Sequence, residues 1–214
     1  MEQLQAVLFD FGGVFTGTPL KAFRERAVDF GITTQQMTDL VLGPTEVDGQ
    51  HPWHRLERGE MEASEVRTAI GRIAKDTYDI ELDPWKILMT TGRSPEDREI
   101  MIERVRALRA TGMKTAIVTN NFKEAGNHWR KLLPLDELFH TVVDSSEVGV
   151  RKPDPRIYEL TAGRLGVDPA HCAFLDDLAA NVAGAVAVGM TGVLVEEDKT
   201  SAIAWLDELV ALRT

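Results

Sequence analysis

The chain has 214 residues, 43% of them hydrophobic and 27% charged, enough for one sizeable core or a core with a small insertion. Lys and Arg number 24 against 34 Asp and Glu, and the net charge of −10 argues against sequence-independent binding to nucleic acid or to an anionic membrane. A small anionic substrate would then need local positive charge or a bound cation. Cys172 is the single cysteine, which excludes an internal disulfide and a cysteine-based zinc site. Its neighbours Ala173, Phe174 and Leu175 predict a buried, inert thiol. The opening Met-Glu-Gln-Leu-Gln lacks the basic region and apolar stretch of a signal peptide. No apolar run nears the roughly 20 residues that span a bilayer, so a cytoplasmic location is expected.

Ala6-Val7-Leu8-Phe9 is an apolar run too short for a helix and reads as a strand buried on both faces. It stops at Asp10, and Gly12-Gly13 follow, which let the backbone turn and bring its amides close to an anion. Pro19 to Phe30 carries Leu20, Phe23, Ala27 and Phe30 at helical spacing and closes at Gly31. Thr33 to Leu42 predicts a second helix, ended by Gly43-Pro44. Thr45 to Gly59, with His51, Pro52, Trp53 and His54, is expected to be irregular because Pro52 interrupts it. Helical spacing returns over Glu60 to Asp76, and a short helix is expected around Pro84 to Met89. Residues 17–90 thus read as a helical insertion.

Ser94-Pro95-Glu96-Asp97 has the form of a helix start, and Met101, Ile102, Val105 and Leu108 continue it to Gly112. Lys114 to Thr119 predicts a buried strand, Lys123 to Leu133 a helix, and Thr141 to Val143 a short strand. After the loop from Asp144 to Lys152, Asp154-Pro155 caps a helix to Leu165. Cys172 to Leu175 is a fourth strand, ending at Asp176-Asp177, with a helix on Leu178, Val182, Ala185 and Val186. Thr191 to Val195 is the last strand, and Ile203, Leu206 and Val210 mark a closing helix. The alternation predicts an α/β fold, a parallel sheet with right-handed crossovers and helices on both faces. The first strand must join the later part, giving a core of residues 1–16 and 91–214 around the insertion.

Parallel strands bring their carboxyl ends to one edge of the sheet. Asp10, Thr119-Asn120, Asp176-Asp177 and the nearby Lys152 would converge there. Three adjacent carboxylates repel unless a divalent cation sits among them, and such oxygen ligands suit Mg²⁺ with a phosphate oxygen. Lys152, Thr119 and the Gly12 and Gly13 amides are suitable donors for the other oxygens of a phosphoryl group.

Asp10-Phe11-Gly12-Gly13-Val14, Ile117-Val118-Thr119-Asn120, Lys152-Pro153-Asp154-Pro155 and Leu175-Asp176-Asp177 with Asn181 resemble, in order, the four motifs of the haloacid dehalogenase superfamily. Phe9 to Val14, Thr119-Asn120-Asn121-Phe122 and Lys152 to Tyr158 are most similar to the branch with the phosphatase domain of soluble epoxide hydrolases. The resemblance implies a Rossmann-like core with a helical cap of the C1 type at residues 17–90. It implies an Mg²⁺-dependent phosphatase in which Asp10 attacks phosphorus and forms an aspartyl-phosphate. Thr119 and Lys152 would hold the phosphoryl oxygens, and Gly12, Gly13, Asn120 and Asn121 would line the substrate. Mg²⁺ would be bound by Asp10, the Gly12 carbonyl, Asp177 directly, and Asp176 directly or through water. The partner would be a small phosphorylated metabolite, and the protein a monomer or homodimer.

One position departs from the pattern. Most phosphatases of the family have a second Asp, the general acid and base, where this chain has Gly12. Thr16, or His51 or His54 from the cap, would have to fill in, or the leaving group would have to be good, as in an acyl phosphate or a sugar 1-phosphate. The alternatives are a weak or inactive protein that binds a phosphorylated ligand and, less favoured, a carbon–halogen hydrolase, in which the acidic pair would lose its purpose. His51 and His54 lack a third ligand and read as a cap loop facing the substrate rather than a metal pair. No dinucleotide, P-loop or Gly-x-Ser-x-Gly fingerprint is present.

Overall fold

The computed structural model describes residues 4–89, 95–126 and 128–213. Its five strands form one parallel sheet in the order β3-β2-β1-β4-β5. They are β1 (Ala6–Phe9), β2 (Lys114–Thr119), β3 (Thr141–Asp144), β4 (Cys172–Asp176) and β5 (Thr191–Leu194). The predicted α/β class is therefore the observed one. β1 lies at the centre, with Phe9 opposite Ile117 of β2 on one side and Leu175 of β4 on the other. The chain adds β2 and β3 to one side of β1, then β4 and β5 to the other. In open parallel sheets the crevice at such a reversal, outside the strands' carboxyl ends, is where ligands bind. Asp10 follows β1, and Asp176 ends β4, on the two sides of that crevice.

Between β1 and the rest of the sheet run α1 (Pro19–Phe30), α2 (Thr34–Val41), α3 (Pro52–Glu57), α4 (Ala63–Tyr78) and α5 (Pro84–Leu88). Their ends follow from local chemistry. The Thr18 hydroxyl accepts from Leu20 N ahead of Pro19, and Gly31 takes the left-handed conformation that closes α1. Thr33 and Gln36 form a reciprocal capping box on α2. α3 corrects the expectation of an irregular stretch. Pro52 does not interrupt this helix but occupies its first turn, where the missing N–H costs nothing, and the His51 ring caps Trp53 N. The five helices bury an apolar cluster of their own, which includes Phe23, Met37, Leu56, Val66 and Ile70. Each such side chain contributes about 1.5–3 kcal/mol relative to exposure.

The second half adds α6 (Pro95–Ala110), the short α7 (Leu135–Leu138) and α8 (Ser145–Val148), then α9 (Pro155–Leu165), α10 (Ala179–Ala187) and α11 (Thr200–Ala211). The alternation of β1 splits the core. Val7 and Phe9 pack with residues of α6 and α11 on one face, while Ala6 and Leu8 pack with residues of α9 and α10 on the other. The Ser94 cap, and the boundary drawn at residues 90 and 91, lie outside the described residues. The helix expected over Lys123 to Leu133 is instead two 3₁₀ turns, Lys123–Ala125 and Trp129–Leu132. Gly126, at φ 50° and ψ −140°, breaks the helical run between them. None of the described helices is long and apolar enough to cross a membrane.

Candidate active site

Asp10 leaves the sheet at the end of its central strand and is 8% exposed. Its Oδ1 accepts from Phe11 N at 2.6 Å and from Lys152 Nζ at 2.8 Å. Burial, with the Asp176 and Asp177 charges beside it, raises Asp10 well above the usual carboxylate range, although Lys152 opposes the shift. Lys152 is wholly buried between Asp10 and Asp176, 2.6 Å from Asp176 Oδ2. Burial acts to lower its pKa, but the two carboxylates outweigh it and hold the ammonium protonated. A lysine without water around it thus clamps the carboxylate that ends β1 to the one that ends β4.

Asp176 and Asp177 play unequal parts. Both Asp176 oxygens are taken by Asn181 Nδ2 at 3.1 Å, and Leu178 N and Lys152 Nζ complete the set. Asp177 Oδ2, by contrast, is buried with no hydrogen-bond partner. Burial and the adjoining Asp176 charge push Asp177 up to about 7. Gly13 fits tightly against it: a Cβ there would stand 2.1 Å from Asp177 Cγ, and its φ of +67° favours glycine. Oxygens of Asp10, Asp176 and Asp177 lie within 4.8 Å of one another. A hard divalent cation fits this donor set, because it would satisfy the orphaned Asp177 oxygen and offset the crowded charge. The bare Asp177 oxygen is the donor left open for it, while both Asp176 oxygens are already bonded to Asn181, and one of them to Lys152.

The other expected residues are distributed as follows. Thr119 ends β2 beside β1 and is 2% exposed. The Asn120 side chain is committed to the Lys152 backbone, accepting from its N at 2.8 Å and donating to its carbonyl at 3.0 Å. This amide fixes the strand end to the lysine loop, and the residue also lines the cavity over Asp10. Asn121 turns its Oδ1 back onto Phe122 N at 2.9 Å and is not among the residues lining that cavity. Gly12 lines it, with its carbonyl accepting from Val14 N at 2.7 Å. The Thr16 hydroxyl accepts from Gly13 N and donates to the Gly17 carbonyl, both at 3.2 Å.

The cavity over Asp10 is about 150 Å³. Its floor is Asp10, Gly12 and Asp177, and its far wall includes Leu42, Trp53 and Glu57 of the helical segment. A second cavity of about 410 Å³ touches Asp177 from the side of Gly13 and Lys199, away from Asp10. The far wall carries polar residues that the sequence did not single out. Glu57 accepts from Trp53 Nε1 at 2.8 Å and from Arg151 Nε at 2.6 Å, so a residue next to Lys152 is bonded to α3. The i,i+4 spacing of Trp53 and Glu57 was the available signal, hidden by reading this stretch as irregular.

His51 and His54 do not line the cavity. Their rings sit 5.6 Å apart beneath Gly43, where a Cβ would come within 2.6 Å of His51 Cγ. Burial lowers His51 to about 4 and His54 to about 3, with Arg151 adding to both. Both rings thus pack within the helical segment, off the cavity over Asp10. A His held below its unfolded pKa stabilises the fold fully above that value, and the contribution is lost as pH falls toward the folded pKa. For His54, 1% exposed, the loss by pH 5 is expected to be about 1–2 kcal/mol. Urea unfolding at pH 7 and pH 5 checks this: His54→Gln should flatten the acid slope, and an unchanged slope would refute it.

Residues 4–189 match the haloacid dehalogenase-like hydrolases. Mouse acyl-CoA dehydrogenase family member 10 is 29% identical over 201 residues, 92% of this chain and 18% of that protein. A sesquiterpene phosphatase of Aspergillus oryzae is 28% identical over 191 residues, 88% of each chain. The chain spans less than half the length of the first curated relatives it matches, which include the mouse protein, at 18%, 20% and 41%. A solved enzyme of the family from Bacteroides thetaiotaomicron, in complex with magnesium and inorganic phosphate, shares the fold with a TM-score of 0.55. It is 17% identical, over 91% of this chain and 95% of that one. The family match runs from before β1 to the end of α10 and so takes in each strand and loop that carries the site. The chain belongs to the haloacid dehalogenase-like hydrolase family.

Proposed function

We propose that the protein is a Mg²⁺-dependent phosphatase that hydrolyses a small phosphate monoester through an aspartyl-phosphate on Asp10. The observation that carries this reading is the orphaned Asp177 oxygen beside a nucleophile-bearing carboxylate clamped by a buried lysine. Asp10 and Asp177, with the Gly12 carbonyl, would hold the cation. Bound there, Mg²⁺ would neutralise crowded negative charge and draw a phosphoryl group to the site. Lys152 fixes the Asp10 carboxylate through Oδ1, leaving Oδ2 for attack on phosphorus. Lys152 and the Thr119 hydroxyl donate to the phosphoryl oxygens. Water then attacks the phosphorus of the intermediate and returns Asp10 as a carboxylate. Residues 17–90 act as the cap that closes over this site and excludes bulk water.

Phosphate release from acyl phosphates, sugar 1-phosphates and alkyl monoesters, with and without Mg²⁺, tests the reading. Turnover is expected to require Mg²⁺ and to vanish in Asp10→Asn, which keeps the shape and removes the nucleophile. No release from any of them, with tight binding of beryllium fluoride, would overturn the enzyme reading in favour of a phospho-ligand binder. Turnover of a haloacid without metal would favour carbon–halogen hydrolysis.

A further inference from the structure

The mechanism above leaves Arg151 unused. Its side chain is 6% exposed and reaches from the lysine loop to α3, where Nε donates to Glu57 Oε2 at 2.6 Å. Its Nη1 is buried and has no hydrogen-bond partner. Asp48 Oδ1 stands 3.6 Å away and is itself bonded to Arg58 Nη1. Nη1 is thus held by a long ion pair to Asp48 and makes no hydrogen bond, so the guanidinium keeps donor capacity beyond its bond to Glu57. Arg151, Glu57 and Trp53 all line the cavity of about 150 Å³ that contains Asp10.

Displacement at phosphorus is in line, so the leaving oxygen departs on the side away from Asp10, within the cavity that Arg151 also lines. Gly12 has no side chain to protonate that oxygen. A guanidinium does not give up its proton in a protein, but a fixed donor in a site shut off from water stabilises developing negative charge. We propose that the Arg151 guanidinium receives the departing oxygen as an anion, and that the substrates are small acyl phosphates, whose leaving group is stable without a proton. This rests on the phosphatase reading of Asp10. An Asp10 oxygen bonds to phosphorus as the bond from phosphorus to the acyl oxygen breaks. The electron pair stays on the acyl oxygen, and a carboxylate leaves paired with Arg151, with no proton transferred. Water then cleaves the aspartyl-phosphate, both its protons ending on the released dihydrogen phosphate. The cavity, smaller than the roughly 300–1,000 Å³ of sites for drug-sized ligands, suits a phosphoryl group with a few carbons.

The test uses the full chain with Mg²⁺ and three compounds of similar size and falling leaving-group acidity: acetyl phosphate, trifluoroethyl phosphate and ethyl phosphate. The wild type is expected to turn over acetyl phosphate fastest and ethyl phosphate slowest. Arg151→Gln should lower kcat for acetyl phosphate by about 10²-fold with little change in KM, as for loss of one oxyanion donor. The loss should be greater for trifluoroethyl phosphate, steepening the dependence on leaving-group acidity, and Arg151→Lys should restore much of the rate. An equal loss on every substrate, reproduced by Glu57→Gln, would overturn the inference, since Arg151 would then only hold α3. Equal wild-type turnover of ethyl and acetyl phosphate would overturn it without any variant, while leaving the phosphatase reading intact. No phosphate release from any of the three would overturn the phosphatase reading, and this inference with it.

Discussion

Lys152→Met is expected to destabilise the protein by about 3–5 kcal/mol in metal-free buffer, because it leaves buried carboxylates without their cation. The ammonium is wholly buried, 2.8 Å from Asp10 and 2.6 Å from Asp176, and lies 5.3 Å from the centre of the Phe174 ring. Methionine fills nearly the same volume, so the loss reports charge rather than a cavity. Part of the cost is relieved if a carboxylate takes up a proton, which sets the lower end of the range. Phosphate release should fall at least 10²-fold, since the same group holds the nucleophile and a phosphoryl oxygen. Urea unfolding and a phosphate assay on the refolded variant check the two effects separately. A variant as stable as the wild type would mean that Lys152 does not offset buried negative charge in the metal-free protein.

The sheet was legible because each buried strand is a short apolar run ended by a polar residue. Val7 and Phe9 face one layer of helices, and Ala6 and Leu8 the other, so the run from Ala6 to Phe9 has no alternation to obscure it. The convergence of Asp10, Lys152, Asp176 and Asp177 followed from parallel topology alone, without any side-chain geometry. What escaped were the features that depend on partners distant in sequence. Asp176 and Asp177 are neighbours of one type, yet only the fold decides that Asn181 and Lys152 saturate the first and leave an oxygen of the second bare. The Asn120 amide is bonded to the backbone of Lys152, 32 residues on, a pairing that only the return of the lysine loop creates. At Pro52 a local rule was applied to the wrong position: a proline that breaks a helix interior opens one at its start. Arg151 stayed hidden for both reasons, since its partner Glu57 lies on that misread helix.

Gly12→Asp is expected to raise turnover of ethyl phosphate by about 10²–10⁴-fold, the usual worth of a general acid. The site has room for the change. A Cβ on Gly12 would meet only Asp10 Oδ2, at 3.8 Å, which is ordinary contact, and Gly12 is not among the glycines with positive φ. Gly13, one residue on, offers the opposite case, because its Cβ would strike Asp177. The new side chain would start beside the Asp10 carboxylate, whose charge would raise its pKa and favour the protonated form for donation to a leaving alkoxide. Acetyl phosphate, which leaves as a carboxylate, should gain little from the added acid. The ratio of the two rates is therefore the informative quantity: it should move toward ethyl phosphate in Gly12→Asp while the wild type keeps its preference for acetyl phosphate. A variant that folds and binds Mg²⁺ but leaves the ratio unchanged would show that the native site already supplies a proton to the leaving group, and that Gly12 does not limit the chemistry.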